Sequence, residues 1–278
     1  MILTAENYYS REANMEYMSV SQFKAFDRCQ AAAMAELRGE YTPAASTAML
    51  VGGYVDAWFS GELPLFQAQH PEIFKRDGTL KSEYIKAQEI ISRMESDDLF
   101  SLLMAGKKQI ILTREIAGVP FKGKVDSLLD SDACQEIIRL FPETAAVLGE
   151  SPRGAIVDQK VMRDLQPVWS DEDHCKLPFV EVYGYDIQGA VYRELEGHGL
   201  PFVLAVGTKE AVTDLAALTI SDADLTSALY QVEDRAPYYQ KIKRGELQPR
   251  RCEHCDYCKA TRQLTSIIDY RDLVDDDE

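Results

Sequence analysis

The stretch Ala155-Ile156-Val157-Asp158-Gln159-Lys160 decides the fold of this 278-residue chain. Three apolar residues run directly into a short charged segment, which is typical of a strand buried at the centre of a sheet. Because side chains alternate along a strand, Asp158 and Lys160 leave it on the same face. We therefore predict a central strand that presents a carboxylate and an ammonium group side by side.

A predicted β-hairpin upstream brings a second carboxylate to the same region. Residues 109–116 and 119–129 alternate with a period of two and are joined at Ala117-Gly118, and Asp126 lies late in the second strand. Two converging carboxylates are hard oxygen ligands that suit Mg²⁺ or Mn²⁺, and Lys160 could orient or deprotonate a metal-bound water. The pattern predicts metal-assisted phosphodiester hydrolysis. The alternative is an exposed strand edge that carries ordinary charges.

Helical and strand patterns surround these two segments along the chain. Ser19 and Gln22 form a capping box that predicts a helix to about Leu37, and the polar segment 130–154 contains one short predicted helix near 136–140. The further predicted elements are helices over 46–59, 82–104, 182–195 and from Ser221 onward, and a strand pair over 200–206 and 214–220. These patterns predict one mixed α/β domain over residues 1–268, with a central mixed sheet flanked by helices. We expect the acidic tail, 269–278, to be disordered.

The overall charge weakens the case for a nucleic-acid partner. The chain carries 30 Lys and Arg against 46 Asp and Glu, a formal net charge of −16, whereas proteins that bind phosphates usually present a basic face. A local basic run could supply that face, or it could be an ordinary solubilising surface; it comprises Lys241, Lys243, Arg244, Arg250 and Arg251. No run approaches the roughly 18 apolar residues that a membrane helix needs, and the first residues lack a signal-peptide pattern. We therefore expect a cytoplasmic protein.

Cysteine spacing predicts a metal centre that joins the two ends of the chain. The C-x₂-C-x₂-C run near the end can hold three thiolates at one centre; it consists of Cys252, Cys255 and Cys258. Zinc and a 4Fe–4S cluster both take four ligands, and either Cys29 or His254 could supply the fourth. The two remaining cysteines are expected to be free, buried thiols; these are Cys134 and Cys175.

The order of these motifs resembles the RecB-like branch of the PD-(D/E)xK nuclease superfamily, most closely its phage-type exodeoxyribonuclease VIII (RecE-like) members. Five segments carry the likeness: Met18–Lys24, Gly52–Ala57, Gly123–Asp126, Val157–Lys160 and Tyr185–Tyr192. The last segment has the spacing of the family's Q-x-x-x-Y helix, which puts Gln188 and Tyr192 on one face. Asp56 stands where RecB-like relatives place a metal-binding histidine, and this is a departure from the family pattern.

The resemblance implies a single restriction-endonuclease-like domain and a role for each matched residue. The implied ligands of Mg²⁺ are Asp56, Asp126, Asp158 and the carbonyl of Gln159. The implied catalytic residues are Asp126, Asp158 and Lys160. Gln188 and Tyr192 would bind DNA or position Lys160, although a helix also buries a tyrosine for packing alone. Asp56 could instead be an exposed helix carboxylate.

The resemblance also favours an iron–sulfur cluster at the cysteines, with zinc as the alternative. Relatives that hold a 4Fe–4S cluster carry one cysteine before the nuclease core and three after it, which is the layout of Cys29 with the C-terminal run. The N- and C-terminal segments would then meet at one metal centre.

The activity implied is that of a Mg²⁺-dependent DNA exonuclease of phage or prophage recombination in a bacterial host cell. It would resect duplex ends in the 5′→3′ direction and leave 3′ single strands for an annealing recombinase; a homo-oligomer is left open. One alternative is an iron–sulfur exonuclease like those of CRISPR adaptation, acting on single-stranded ends. Another is a non-catalytic DNA- or protein-binding module. The intact Asp126, Asp158 and Lys160 count against a non-catalytic module.

Overall fold

A five-stranded mixed sheet forms the centre of the computed structural model, which describes residues 1–170, 173–267, 269 and 271. The strands of the described residues are β1 Lys107–Ile116, β2 Val119–Asp130, β3 Gly154–Met162, β4 Val168–Ser170, β5 Cys175–Leu177, β6 Phe202–Thr208 and β7 Leu215–Thr219. The central sheet has the order β1-β2-β3-β6-β7, in which only the β3–β6 pairing is parallel. This architecture confirms the prediction of a mixed α/β fold.

The predicted hairpin is confirmed, including its turn. Strands β1 and β2 pair antiparallel, and Ile116 stands opposite Val119. The two residues between them, Ala117 and Gly118, have φ values of 47° and 76°. Left-handed backbone at both positions matches the right-handed twist of the flanking strands, which is why two residues suffice to reverse the chain.

Helices cover both faces of the sheet. The α-helices of the described residues are α1 Arg11–Glu16, α2 Val20–Arg28, α3 Gln30–Arg38, α4 Thr47–Phe59, α5 Leu63–Gln69, α6 Ser82–Glu95, α7 Asp98–Leu103, α8 Ser131–Leu140, α9 Ala145–Leu148, α10 Phe179–Val182, α11 Tyr185–Glu196, α12 Asp222–Lys243 and α13 Asp256–Ala260. On one face, Ile156 and Leu204 pack with apolar residues of α2, α11 and α12. On the other, Val157 and Val203 pack with α4, α6 and α8. Strand β3 is therefore apolar on both faces up to Asp158.

The predicted helix from Ser19 to Leu37 is wrong in one respect, because Cys29 interrupts it. The helix does begin at Ser19, whose hydroxyl accepts a hydrogen bond from the Gln22 amide at 3.2 Å. Cys29 then adopts an extended backbone, with φ −163° and ψ 107°, between α2 and α3. Periodicity could not reveal this break, since it arises from a contact with residues more than 200 positions away.

Other predicted boundaries also shift where a cap or glycine intervenes. The helix predicted over 82–104 divides because the Asp97 carboxylate accepts from the Phe100 amide at 3.0 Å and starts α7. The helix predicted over 182–195 divides at Gly184, which has φ 61°. The segment 130–154 contains the amphipathic helix α8, which is longer than predicted. The β4–β5 hairpin was not predicted.

Two further expectations concern the cysteines and the tail. Cys134 is buried as expected, but Cys175 is exposed because it lies in the short β4–β5 hairpin outside the main sheet. Most of the tail predicted over 269–278 lies outside the described residues. No helix in the described part of the chain is long and apolar enough to cross a membrane.

Candidate active site and cysteine centre

Strand pairing brings Asp126 beside Asp158. Strands β2 and β3 run antiparallel with Ser127 opposite Val157. Asp126 precedes Ser127 and Asp158 follows Val157, so these two residues are the next to face each other. The Asp126 carboxylate accepts a hydrogen bond from the Gln159 amide at 2.9 Å. The structure therefore brings together two of the predicted carboxylates, although neither is near the other in sequence.

Asp158 is the most enclosed member of this group, with 1% of its surface exposed. One carboxylate oxygen accepts from the side-chain amide of Gln188 at 2.6 Å. The other forms an ion pair with the ammonium of Lys160, which also donates to the Gln159 carbonyl at 3.4 Å. Gln188 thus orients the carboxylate, and it does so from α11 on the face that Asp158 and Lys160 share.

Tyr192 has a packing position one turn further along α11. It is 9% exposed, and its hydroxyl donates to the Lys124 carbonyl at 3.2 Å. Close contact between α11 and β2 depends on Gly123, since a Cβ atom there would lie 2.8 Å from Leu195 and 2.9 Å from the Tyr192 ring. Tyr192 therefore holds α11 against the sheet. This position favours a packing role over the DNA-binding or lysine-positioning role that the resemblance implies.

Asp56 reaches the same region from α4 and is partly buried. Its carboxylate accepts from the side-chain amide of Gln109 at 3.5 Å. Burial raises the pKa of Asp56, and Asp158 adds to this, although the ammonium groups of Lys124 and Lys160 act in the opposite direction. Asp56 is therefore not the exposed helix carboxylate of the alternative interpretation.

The electrostatics of these residues fit a divalent cation. Burial, reinforced by the charge of Asp158, raises the pKa of Asp126 to about 8. Such crowding of carboxylates is unfavourable unless protons or a cation neutralise it, and hard oxygen donors suit Mg²⁺. We call Asp56, Asp126, Asp158 and Lys160 the carboxylate site.

Burial alone would lower the pKa of Lys160, but Asp158 and Asp126 outweigh it and raise that pKa, so Lys160 is an ammonium group here.

Lys24 is a neighbour of the site that the sequence interpretation did not assign. Its ammonium donates to the Tyr183 carbonyl at 2.9 Å and lies 5.7 Å from the centre of the Tyr185 ring, while Lys160 lies 5.4 Å from the same ring. Burial and the charge of Lys160 lower the pKa of Lys24 to about 8. Lys24 is the last residue of the Met18–Lys24 segment, which carries part of the family resemblance, and this position could have indicated that it lies near the site.

The four predicted cysteines come together as one group, hereafter the cysteine centre. Their sulfur atoms all lie within 4.8 Å of one another in the described residues; the group is Cys29, Cys252, Cys255 and Cys258. The Sγ atoms of Cys29 and Cys258 are 3.6 Å apart, and those of Cys252 and Cys258 are 3.9 Å apart. His254 is exposed and is not a member, so Cys29 is the fourth residue of the group.

Backbone contacts hold this loop against the N-terminal helices. The Ala31 amide donates to the Arg250 carbonyl and the Arg250 amide to the Gln30 side chain, each at 2.9 Å. Burial opposes ionisation of Cys252, but hydrogen bonds from the Cys255 and His254 amides outweigh it and lower the pKa of Cys252 to about 6. The centre therefore favours thiolate at one position before any cation binds.

The sulfur separations fit a single tetrahedral ion. Four thiolates at about 2.3 Å from zinc would stand about 3.8 Å from one another. Two of the sulfur pairs here are 3.6 and 3.9 Å apart, and all four sulfurs lie within 4.8 Å of one another. In a 4Fe–4S cubane each thiolate binds its own iron at a separate corner, which spreads the sulfurs further apart than one shared ion does. Four thiolates can hold either metal group, and their separations here are nearer to those around one ion than to those around a cluster.

The basic run divides into engaged and exposed residues. Lys243 is only 4% exposed and donates to the Tyr17 carbonyl at 2.8 Å and the Gln22 side chain at 3.0 Å, so it is not part of a basic surface. Arg251 donates to the Cys258 carbonyl at 2.6 Å and pairs with Glu253 at 2.7 Å, which fixes the cysteine loop. Arg251 is exposed as well, and the other exposed members are Lys241, Arg244 and Arg250.

Comparison with known proteins identifies the family and the fold of the chain. A family model described as a PDDEXK-like domain of unknown function matches residues 19–135 and 150–261. A crystal structure at 2.19 Å of a "putative exonuclease" from Eubacterium rectale is 40% identical, with a TM-score of 0.86 and coverage of 99% of both chains.

The other comparisons add little. The crystal structure of SSO0001 is 10% identical over 78% of this chain and 86% of its own, with a TM-score of 0.27, too low to support an argument. No curated protein matches the chain. The family match spans most of the chain and includes both the carboxylate site and the cysteine centre, and the chain belongs to the family of PDDEXK-like domains.

Proposed function

We propose that this chain is a Mg²⁺-dependent DNA exonuclease that acts at the carboxylate site. The observation that carries the proposal is the convergence of Asp126, Asp158 and Lys160 from adjacent strands, with Asp158 held on both of its oxygens. The likeness to a "putative exonuclease" along the whole chain supports it. A non-catalytic module would have no need of this arrangement.

Each residue of the site has a distinct role in this proposal. Asp56, Asp126, Asp158 and the Gln159 carbonyl would hold Mg²⁺, which when bound supplies an activated water and offsets phosphate charge. Lys160, which carries a proton here, stabilises negative charge on the scissile phosphate as the bond breaks. Gln188 keeps the Asp158 carboxylate in a fixed orientation. Tyr192 supports α11 and does not contact DNA.

DNA would be held by basic and aromatic side chains around the site. Lys24 extends the positive charge of Lys160, and Tyr183, which is 43% exposed, lies 6.0 Å from Tyr185 as a surface on which a base can stack. Lys241, Arg244 and Arg250 are candidates for more distant phosphate contacts. The strongly acidic total charge makes such local groups necessary.

We further propose, from the family resemblance, a biological setting of phage or prophage recombination. The enzyme would resect duplex ends in the 5′→3′ direction, and the resulting 3′ strands would be used by an annealing recombinase. The main alternative is removal of nucleotides from single-stranded ends. Duplexes labelled at either the 5′ or the 3′ terminus, compared with the same single strands, separate these possibilities by the order in which label is released.

At the cysteine centre we propose one tetrahedral zinc ion, in preference to a 4Fe–4S cluster, on the basis of the sulfur separations. Protein purified without oxygen from cells supplied with both iron and zinc should contain about one zinc per chain and be colourless. A brown protein with about four irons per chain would contradict zinc and restore the cluster. Either outcome leaves the carboxylate-site proposal independent of this metal.

End-labelled duplex and single-stranded DNA, incubated with and without Mg²⁺, test the activity itself. Wild-type protein should release nucleotides only with Mg²⁺, and Asp158→Asn should release none. Asp132→Asn is the matched control, because Asp132 is an exposed carboxylate on α8. Cleavage by Asp158→Asn at the wild-type rate would exclude the carboxylate site as the source of the activity.

A further inference from the structure

We infer that Gln109 is an additional ligand residue of the carboxylate site, with its side-chain oxygen Oε1 directed to the metal that Asp56 and Asp126 hold. This inference rests on the proposed function and adds a residue that neither the motifs nor the family resemblance assigns. Three features of the structure carry it: the backbone of Gln109, its position opposite Asp126, and its unpaired oxygen.

The backbone of Gln109 is strained in the middle of a strand. Its φ is 53°, in the left-handed region that a residue with a side chain rarely adopts. The neighbours pair regularly, Lys108 with Ser127 and Ile110 with Val125, so the distortion is confined to this one position. Such a conformation is unfavourable for a residue with a side chain and is found most often at functional sites.

The strand register places Gln109 opposite Asp126. The residues on either side pair across β1 and β2, which leaves these two facing each other between regular pairs. The distortion redirects the side chain toward α4, where its amide nitrogen donates to the Asp56 carboxylate at 3.5 Å. Gln109 thus adjoins two of the proposed metal ligands at once.

The Oε1 atom of Gln109 is buried and has no hydrogen-bond partner among the described residues. A buried acceptor without a hydrogen-bond partner is unfavourable and uncommon in folded proteins. The adjacent carboxylates cannot satisfy it in the ionised form in which they would bind a metal, because they too are then acceptors. The ammonium of the neighbouring Lys108 donates to the Met104 carbonyl and not to this oxygen. A cation, or a water bound to it, would satisfy all these oxygens together, and amide oxygens are suitable ligands of hard cations.

Gln159 offers an internal comparison. Its Oε1 is also buried without a partner among the described residues, but its φ is not positive and it is its backbone amide, rather than its side chain, that donates to a carboxylate. Only Gln109, within the described residues, combines an unpaired oxygen with strain and a contact to Asp56.

The test measures Mg²⁺ affinity by calorimetry and thermal unfolding in Mg²⁺-free buffer without a chelator, so that it does not depend on cleavage. Gln109→Gly removes the oxygen and tolerates the positive φ. We expect this variant to bind Mg²⁺ about tenfold more weakly, while its metal-free Tm rises because the strain is relieved. Gln109→Asn accepts the same backbone but is too short, and it should also lose affinity. Gln109→Glu keeps an oxygen in place and should bind Mg²⁺ at least as tightly as the wild type.

Thr113→Gly is the matched control, since Thr113 is an exposed residue of the same strand. It should lower the Tm and leave Mg²⁺ affinity unchanged. Wild-type affinity in Gln109→Gly, or equal losses in Gln109→Gly and Gln109→Glu, would overturn the inference while leaving the nuclease proposal intact. A wild-type protein that binds no Mg²⁺ would instead overturn both.

Discussion

The carboxylate site and the cysteine centre are assembled over very different distances along the chain. Asp126 and the Gln159 amide are 33 residues apart and meet through the pairing of two neighbouring strands. Cys29 and Cys258 are 229 residues apart and meet only when the whole domain has closed. The comparison is consistent with a division of roles, in which the carboxylate site on the sheet would carry out the proposed chemistry and the cysteine centre brings the two ends of the chain together.

The two regions also handle buried lysines differently. Lys160 lies beside Asp158 and Asp126, which keep it charged. Lys243 lies in the last turn of α12 and, among the described residues, donates to two neutral acceptors on the N-terminal segment. Burial and the charge of Lys122 lower the pKa of Lys243 to about 7. The charge of Lys160 is stabilised by carboxylate partners. Lys243 has neutral acceptors and no carboxylate partner among the described residues, so its protonated form should lower the stability of the fold.

The largest expected effect is on activity at the carboxylate site. Lys160→Met should lower the cleavage rate by about 10³-fold, because the developing phosphate charge loses its ammonium partner. Mg²⁺ binding should persist, since the carboxylates remain and lose a competing cation. Single-turnover cleavage and calorimetry measure the two quantities separately. Lys75→Met is the control, because Lys75 is an exposed lysine to which neither the site nor DNA binding assigns a role, and near-normal cleavage by Lys160→Met would remove Lys160 from the chemistry.

The next largest effect is on stability at the cysteine centre. Cys258→Ser should remove the bound metal and lower the free energy of unfolding by about 4 kcal/mol, because a lost metal site is among the most damaging changes a fold can undergo. Hydrogen exchange should then increase in both α2–α3 and the C-terminal loop. Cys175→Ser, at an exposed cysteine outside the centre, should change neither property. Unchanged metal content and exchange in Cys258→Ser would show that the ends are held by other contacts.

A smaller effect concerns the pH dependence of stability. Folded protein releases the Lys243 proton near pH 7, whereas the unfolded chain holds it to about pH 10.4. The unfolded state therefore binds more protons between these values, and stability should rise with pH across that window. Lys243→Met should flatten the rise, and the exposed Lys241→Met should not. Parallel curves for all three proteins in urea unfolding would show that Lys243 is not perturbed.

The smallest effect is expected where a helix approaches the sheet. Gly123→Ala would place a methyl group 2.8 Å from Leu195 and 2.9 Å from Tyr192, which should cost about 1–3 kcal/mol as α11 moves away. That movement should also displace Gln188 from Asp158 and lower the cleavage rate. Gly52→Ala is the control, because nothing lies within 4 Å of the added atom. Equal stabilities of the two variants would show that α11 does not depend on this glycine.

The sequence alone predicted those features of the carboxylate site and the cysteine centre that depend on residues close together in the chain. The D-x-K strand, the hairpin with its Ala117-Gly118 turn and the C-x₂-C-x₂-C run are all short-range signals, and the structure contains each of them. The fold class followed from the same signals. The pairing of Cys29 with the distant run needed the family resemblance as well.

The rest depended on long-range contacts that periodicity does not record. The break at Cys29 serves a contact with the other end of the chain, and the distortion at Gln109 breaks the alternation of an otherwise regular strand. Lys243 lies in a run of basic residues and was therefore predicted to be on the surface, but the N-terminal segment covers it. A count of charges cannot show which of them another element will bury.

The central claim is that chemistry and closure of the chain reside in separate regions, and one crossed measurement tests it most directly. Asp126→Asn and Cys258→Ser are each assayed for Mg²⁺-dependent DNA cleavage at low temperature and for the free energy of unfolding in EDTA-free buffer. We predict that Asp126→Asn abolishes cleavage and retains stability, whereas Cys258→Ser loses stability and still cleaves at a temperature where it is folded. Folded Cys258→Ser without activity, or active Asp126→Asn, would contradict the account.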